Sequence, residues 1–405
     1  MEGEIGILLP DKLLKFSVLG IFCGNGVCSM ENVFLKDYLI RDDNHQFTEF
    51  ISNKMELYDP TQIDPQSIIS SLNELYPNNY EQQKFCLREY YFNCREQIKP
   101  YVLMEYYMMQ GDYDELYALI ELEKERDNPE MRNWTTVYDI IARRQKGELS
   151  GTTLIDEIFK VKNTDNETLI FSLIIHLYGI SEIGLFEPFH KVRNVIIPMV
   201  NLLENEYLRE SYAIRLSEME AMTYLFSNDT ESCRRTCLSI LQRQELQVYF
   251  PLIYANVAHI LGKSFIFENY HISKYWLDYS VHSLIHLSGA RAKEKIQKIS
   301  HTVDFLHSFW GINLENIPVD QSEKVHRLLV MGESMEALRL LDEIKQERGY
   351  LSSCQLFYYA IAKENDGLLL VAKEAFVSNG NLFFLQLLLP ENVQKYKERL
   401  NGESN

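Results

Sequence analysis

Glycine and proline are scarce in this chain, 18 and 11 of 405 residues, and no low-complexity tract occurs, so a disordered or collagen-like polymer is excluded. No uncharged apolar run approaches the roughly 20 residues needed to cross a bilayer. The N-terminus also lacks the basic-then-apolar pattern of a secretion signal, so a cytoplasmic protein that engages no membrane is expected. Seven cysteines, an odd number at irregular positions, do not make a disulfide framework. Basic residues are the minority: 40 Lys and Arg stand against 58 Asp and Glu, a formal charge of −18. Such a balance argues against a protein that coats nucleic acid, although a small local DNA site stays open. Missing too are a Walker loop, a GxSxG elbow, an HExxH helix and a Gly-rich dinucleotide fingerprint. No enzyme, cofactor or metal site is expected.

What is present is helical. Leu328 to Ile344, LLVMGESMEALRLLDEI, reads as a helix, a glycine turn at Gly332 and a second helix whose Leu338, Leu341 and Ile344 recur on one face. Ala337, five residues after the glycine, leaves room for a neighbouring helix. That pattern is half of a tetratricopeptide-like unit, which must stack on copies of itself to bury its apolar face. Similar junctions are expected at Gly111, Gly147, Gly179, Asn228, Asn269 and Gly367, with a further turn near Trp310 and Gly311. Three of the intervals, 36, 32 and 35 residues, fall near the period of about 34 for such repeats. The apolar runs 169–177 and 383–389 lack adjoining hairpin turns and are read as core helices, with His176 of the first as a core residue. The expected fold is all-α: a degenerate tetratricopeptide-like α-solenoid over residues 61–380, C-terminal capping or dimerisation helices over 381–405, and a small helix-turn-helix-like segment over 1–60.

That opening segment has two short helical runs, 12–19 and 30–40, around a glycine-containing loop. Asn25, Ser29, Asn32 and Lys36 are its candidate DNA contacts. Residues 1–60 carry five Lys and Arg against ten Asp and Glu, so few donors are available for phosphates or base edges. Cys23 and Cys28 have no second pair or nearby histidine for zinc, and Cys233 and Cys237, one helical turn apart, read likewise as buried thiols.

A helical array commonly holds an extended peptide through side chains of successive first helices, and a peptide backbone needs amide partners. Gln247 and Asn256, in QVYFPLIYAN, are candidates, and Arg215 in ESYAIR is a charged one. On residues alone, Asn256 either fastens neighbouring helices or faces a ligand.

In order along the chain, FLKDYLIRDDNHQFTEF, VYDIIARRQKGELS, YLRESYAIRL, NDTESCRR, QVYFPLIYAN, FLHSFWGINLEN and MGESMEALRLLDEI resemble the AimR family, the arbitrium peptide receptors of temperate phages and prophages. The resemblance implies a helix-turn-helix head, tetratricopeptide-like repeats with a peptide pocket, and a homodimer joined partly through its C-terminal helices. It further implies operator binding that is switched by a short phage-encoded signalling peptide and controls lysis against lysogeny. It assigns Asn256 to the pocket. Glu245 stands where the relatives are basic, and Met222 and Phe226 replace polar pocket residues, so the cognate peptide is expected to differ in sequence. Two other readings remain open: an α-solenoid adaptor that binds a peptide or protein but no DNA, favoured by the acidic head, and a Rap-like phosphatase on the same repeats.

Overall fold

The computed structural model describes residues 65–400, apart from 77–78, 95–98, 127, 164 and 288. The segment 1–60, with Asn25, Ser29, Asn32, Lys36, Cys23 and Cys28, lies outside the described residues. Every regular element among them is helical. The chain enters through α1 (Pro65–Leu75) and α2 (Tyr80–Cys94). Helical hairpins follow: α3 (Pro100–Gln110) with α4 (Tyr113–Lys124), α5 (Pro129–Gln145) with α6 (Gly151–Phe159), α7 (Asn166–Glu182) with α8 (Phe186–Asn201), and α9 (Glu206–Phe226) with α10 (Thr230–Leu241). A 3-10 turn at Gln244–Leu246 leads to α11 (Pro251–Ser264) and α12 (Tyr270–His282), then to the long α13 (Ala290–Trp310). Two more hairpins, α14 (Gln321–Val330) with α15 (Ser334–Arg348) and α16 (Ser353–Ala362) with α17 (Asp366–Ser378), precede a 3-10 helix (Leu382–Leu388) and α18 (Pro390–Leu400). Each helix packs chiefly on its neighbours in sequence, as in an all-α repeat array.

One two-residue device makes most of the hairpin turns. The first residue is left-handed, and the second donates its amide back to the helix just ended while opening the next one. At Gly332 (φ 83°) the Glu333 N–H reaches the Leu328 carbonyl at 2.8 Å. At Gly111 the following Asp112 N–H reaches the Tyr107 carbonyl at 2.9 Å, and the Asp112 carboxylate then caps α4 by accepting from the Glu115 amide. Asn228 (φ 64°) and Asp229 repeat it without a glycine. Gly147 and Gly311 also turn where the sequence places them.

Two junctions move. Gly179 lies inside α7, where a Cβ would come within 2.6 Å of Ile155 Cγ1, so its missing side chain admits α6; the turn follows at Gly184. Gly367 sits in the first turn of α17, and the left-handed residue is Glu364 (φ 49°), followed by the capping Asn365. Asn269 is an extended N-cap whose side chain accepts from the Ile272 amide. The run 169–177 is helical within α7 and 383–388 is helical in 3-10 form.

An aromatic column ties the first helices together. Tyr101 of α3 stacks on Trp134 of α5 at 4.1 Å, Tyr138 of α5 lies 5.0 Å from Phe171 of α7, and Phe171 stacks on Tyr212 of α9 at 5.1 Å. At the far end, α18 folds back on α14: His326 Nε2 and the Tyr396 hydroxyl meet at 2.6 Å, and Arg399 donates to the Ser308 carbonyl at 3.3 Å. The array also returns on itself. A Cβ on Gly380 would meet the Gly184 Cα at 2.9 Å, and Gln386 donates to Asn228 Oδ1 at 3.1 Å, so the segment after α17 abuts the turns that end α7 and α9.

Candidate functional site

The C-terminal halves of α3, α5 and α7, the middle and end of α9, and the starts of α11 and α13 surround a cleft of about 270 Å³. Its apolar lining is rich in methionine: Met108 and Met109 from α3, and Met219 and Met222 from α9, with Phe226 and Leu252. Unbranched thioethers adapt to irregular ligands.

The polar groups are held by partners on neighbouring helices. Arg215 in α9 is almost fully buried and its Nε donates to Glu105 Oε1 of α3 at 2.9 Å. Glu105 also accepts from Ser211 and, at 3.0 Å, from the Tyr138 hydroxyl. Burial opposes the charge on Arg215, but the Glu105 carboxylate carries its pKa upward on balance, so it stays a cation. Its Nη2 also lies 2.9 Å from the same oxygen and is sealed from solvent, so the guanidinium is held by Glu105 through two nitrogens. Arg144 of α5 donates to Glu182 of α7 at 2.8 Å and lies over the Tyr178 ring at 4.0 Å. Glu182 in turn accepts from the Gly151 amide at 2.8 Å. Arg291 of α13 reaches back to α5, donating to Gln145 Oε1 at 2.6 Å, and pairs with Glu294 at 2.9 Å.

Asn256 of α11 donates its amide to Glu218 of α9, while its own carbonyl oxygen accepts no hydrogen bond among the described residues. It therefore fastens two helices and also lines the cleft. Lys295, one turn after Arg291 on α13, is half-buried. Burial pushes its pKa down to about 7; Glu218 works against that shift, and the cations of Arg291, Lys263 and Lys298 add to it. Tyr113 carries a hydroxyl pushed up to about 12 by burial, against the pull of the guanidiniums of Arg291, Arg215 and Arg144.

Of the sequence-predicted site residues, the fold brings Arg215, Met222, Phe226 and Asn256 together on the cleft wall. Gln247 and Glu245 do not line it. Both sit in or beside the 3-10 turn before α11, Gln247 donating to Ser283 at a long 3.5 Å and Glu245 exposed near Arg243. The sequence reading passed over Arg144, Arg291 and Lys295, although the last two fall at helical spacing with Lys298 in ARAKEKIQK. Cys233 and Cys237 are buried free thiols, and His176 packs on the Phe159 ring at 4.8 Å. Among the described residues no cluster of side chains could hold a metal, and no helix is long and apolar enough to cross a membrane.

The arrangement offers an amide acceptor, buried guanidiniums, an amine and an adaptable apolar floor, a set suited to an extended polar chain with apolar side groups. The family described as AimR transcriptional regulator-like matches residues 82–391. The chain is 25% identical over 247 residues to an uncharacterized protein of Bacillus anthracis, covering 60% of this chain and 91% of that one. It is 22% identical over 280 residues to the AimR transcriptional regulator of Bacillus phage SPbeta, covering 67% and 69%. The solved phAimR-ligand structure superposes with a TM-score of 0.68 over 85% of this chain and 98% of that one, at 18% identity.

Proposed function

The chain belongs to the AimR transcriptional regulator-like family, and on that premise we propose that it is a peptide-responsive transcriptional regulator of a temperate phage or prophage, controlling lysis against lysogeny. The observation that carries the peptide part is the cleft itself. Seven helices contribute side chains to it, and Asn256, its amide held by Glu218, carries an amide oxygen with no other hydrogen bond among the described residues. A peptide N–H can complete that acceptor, while Met108, Met219 and Met222 accommodate side chains.

In this reading residues 1–60 form the DNA-binding head, with Asn25, Ser29, Asn32 and Lys36 facing an operator. Residues 61–380 form the receptor, and 381–405 cap it and contribute to a homodimer. The peptide acts by population shift. It binds one arrangement of the paired heads better than the other, and a ligand with equal affinity for both would change nothing. Of the lining residues, Glu182 and Phe226 sit at the ends of α7 and α9, next to the turns that the C-terminal segment touches, so a filled cleft has a direct route to that segment.

A gel shift on DNA flanking the gene, with and without the peptide encoded beside it, tests the whole proposal: a peptide-sensitive shift is the expected outcome. The acidic balance of residues 1–60 favours a second reading, a peptide-binding adaptor with no DNA target. That reading predicts peptide binding by calorimetry with no shift on any of the flanking DNA.

A further inference from the structure

The charge on the cleft wall opposes the charge of the chain. The protein carries a net −18, yet four cations, Arg144, Arg215, Arg291 and Lys295, line the cleft against two carboxylates, Glu182 and Glu218. Both carboxylates are already engaged: Glu182 by Arg144 and the Gly151 amide, Glu218 by Asn256. Among the described residues no carboxylate lies at ion-pairing distance from Lys295, whereas Arg144, Arg215 and Arg291 each have one.

Arg291 stands one helical turn before Lys295 on α13, and both line the cleft together with Arg144 and Arg215. Uncompensated positive charge in a half-buried site is costly, and a charge-assisted contact with an anion removes that cost. We propose that the ligand of this cleft presents a carboxylate to Lys295, flanked by Arg291, so that Lys295 is a specificity-determining residue selecting peptides that bring a carboxylate to this point. The inference rests on the peptide-receptor reading above and adds the chemical class of the peptide. Its carboxylate comes from the free C-terminus or from an acidic side chain, and the two sources are separable.

The test starts from a library of short synthetic peptides passed over the full-length protein. Each retained peptide is then remade as its C-terminal amide and, separately, with Asp and Glu changed to Asn and Gln. Calorimetry follows each form against the parent protein, Lys295→Met and Lys295→Arg. One neutralised form should bind about tenfold more weakly, a difference of about 1.4 kcal/mol. Which form weakens identifies the source. Lys295→Met should weaken the parent peptide by a similar factor and the neutralised peptide hardly at all, while Lys295→Arg keeps tight binding. If both neutralised forms bind as tightly as the parent peptide, or if Lys295→Met weakens all forms equally, the inference is overturned and the receptor reading stands. If no peptide is retained, both are overturned.

Discussion

Arg215 and Glu105, 110 residues apart in sequence, meet as a buried ion pair at 2.9 Å on the wall of the cleft. The pair joins α9 to α3 and fixes the guanidinium behind the cleft wall. Its cost is met by further hydrogen bonds, since Glu105 also takes the hydroxyls of Ser211 and Tyr138. Breaking one side alone leaves a buried charge without its counterion. Glu105→Gln is therefore expected to lower stability by about 3 kcal/mol, read as a shift of the urea midpoint with the slope unchanged. A loss no larger than that of an exposed substitution would mean that Arg215 escapes to solvent.

Lys295 makes a prediction of the opposite sign. Its folded pKa, about 7, lies below its ordinary 10.5 because of burial and the nearby Arg291, Lys263 and Lys298, with Glu218 partly compensating. Between those values the unfolded chain binds the extra proton, so this group's contribution to stability rises with pH from about 7 to 10.5, and its penalty is fully present below 7. Lys295→Met should thus be more stable than the parent below pH 7, with the advantage fading as pH rises. Thermal melts across that range check it, and a constant difference at every pH would refute the assignment.

Tyr396→Phe should loosen the end of the array. The change removes the 2.6 Å contact with His326 Nε2 and leaves a buried ring nitrogen unsatisfied, at a cost of about 1–3 kcal/mol. The loss should concentrate in residues 390–400, visible as faster amide exchange there than in α9. Burial, reinforced by Arg327, Arg399 and Lys395, holds His326 well below its usual pKa, while Glu323 packs beside it at 3.5 Å. The unfolded chain takes up that proton first, so this histidine's contribution to stability falls as pH drops below about 6.5, while Glu323, its pKa raised by burial, contributes in the opposite sense.

Gly380→Val tests the return of the chain on itself. The residue has φ 64°, and a Cβ there would lie 2.9 Å from the Gly184 Cα and 3.2 Å from the Phe186 ring, with backbone on one side that cannot rotate away. A destabilisation of about 1–3 kcal/mol is expected from strain and overpacking together. Gly184→Val should give a comparable loss. Because both changes break one contact, the double variant should lose less than the sum of the two.

The fold was legible wherever a turn depends on local chemistry. Gly111, Gly147, Asn228 and Gly332 all end a helix in left-handed backbone, as their sequence context indicates. Gly179 was misleading because a glycine that admits a neighbouring helix looks the same in sequence as one that turns the chain, and only the Ile155 contact separates them. Glu364 carries no such signal, since neither glycine nor asparagine stands at that left-handed position. The cleft was half legible for a related reason. Arg215, Met222, Phe226 and Asn256 come from the adjacent first helices α9 and α11, where one repeat points to the next. Arg144, Arg291 and Lys295 arrive from more distant helices, and their meeting depends on how the array winds. A basic stripe at Arg291, Lys295 and Lys298 in so acidic a chain was the clue available.

The backbone contact between Gly184 and Gly380 sets a rule for how this molecule can change length. An open helical array can gain or lose a hairpin anywhere, because each rung needs only its neighbours. Here two glycines from separate rungs must arrive at the same point. Adding or deleting one hairpin between them would displace one partner by a full rung and open the contact. The stretch they bracket is therefore fixed in number of units, and new ligand preferences in it arise by exchanging side chains within existing rungs.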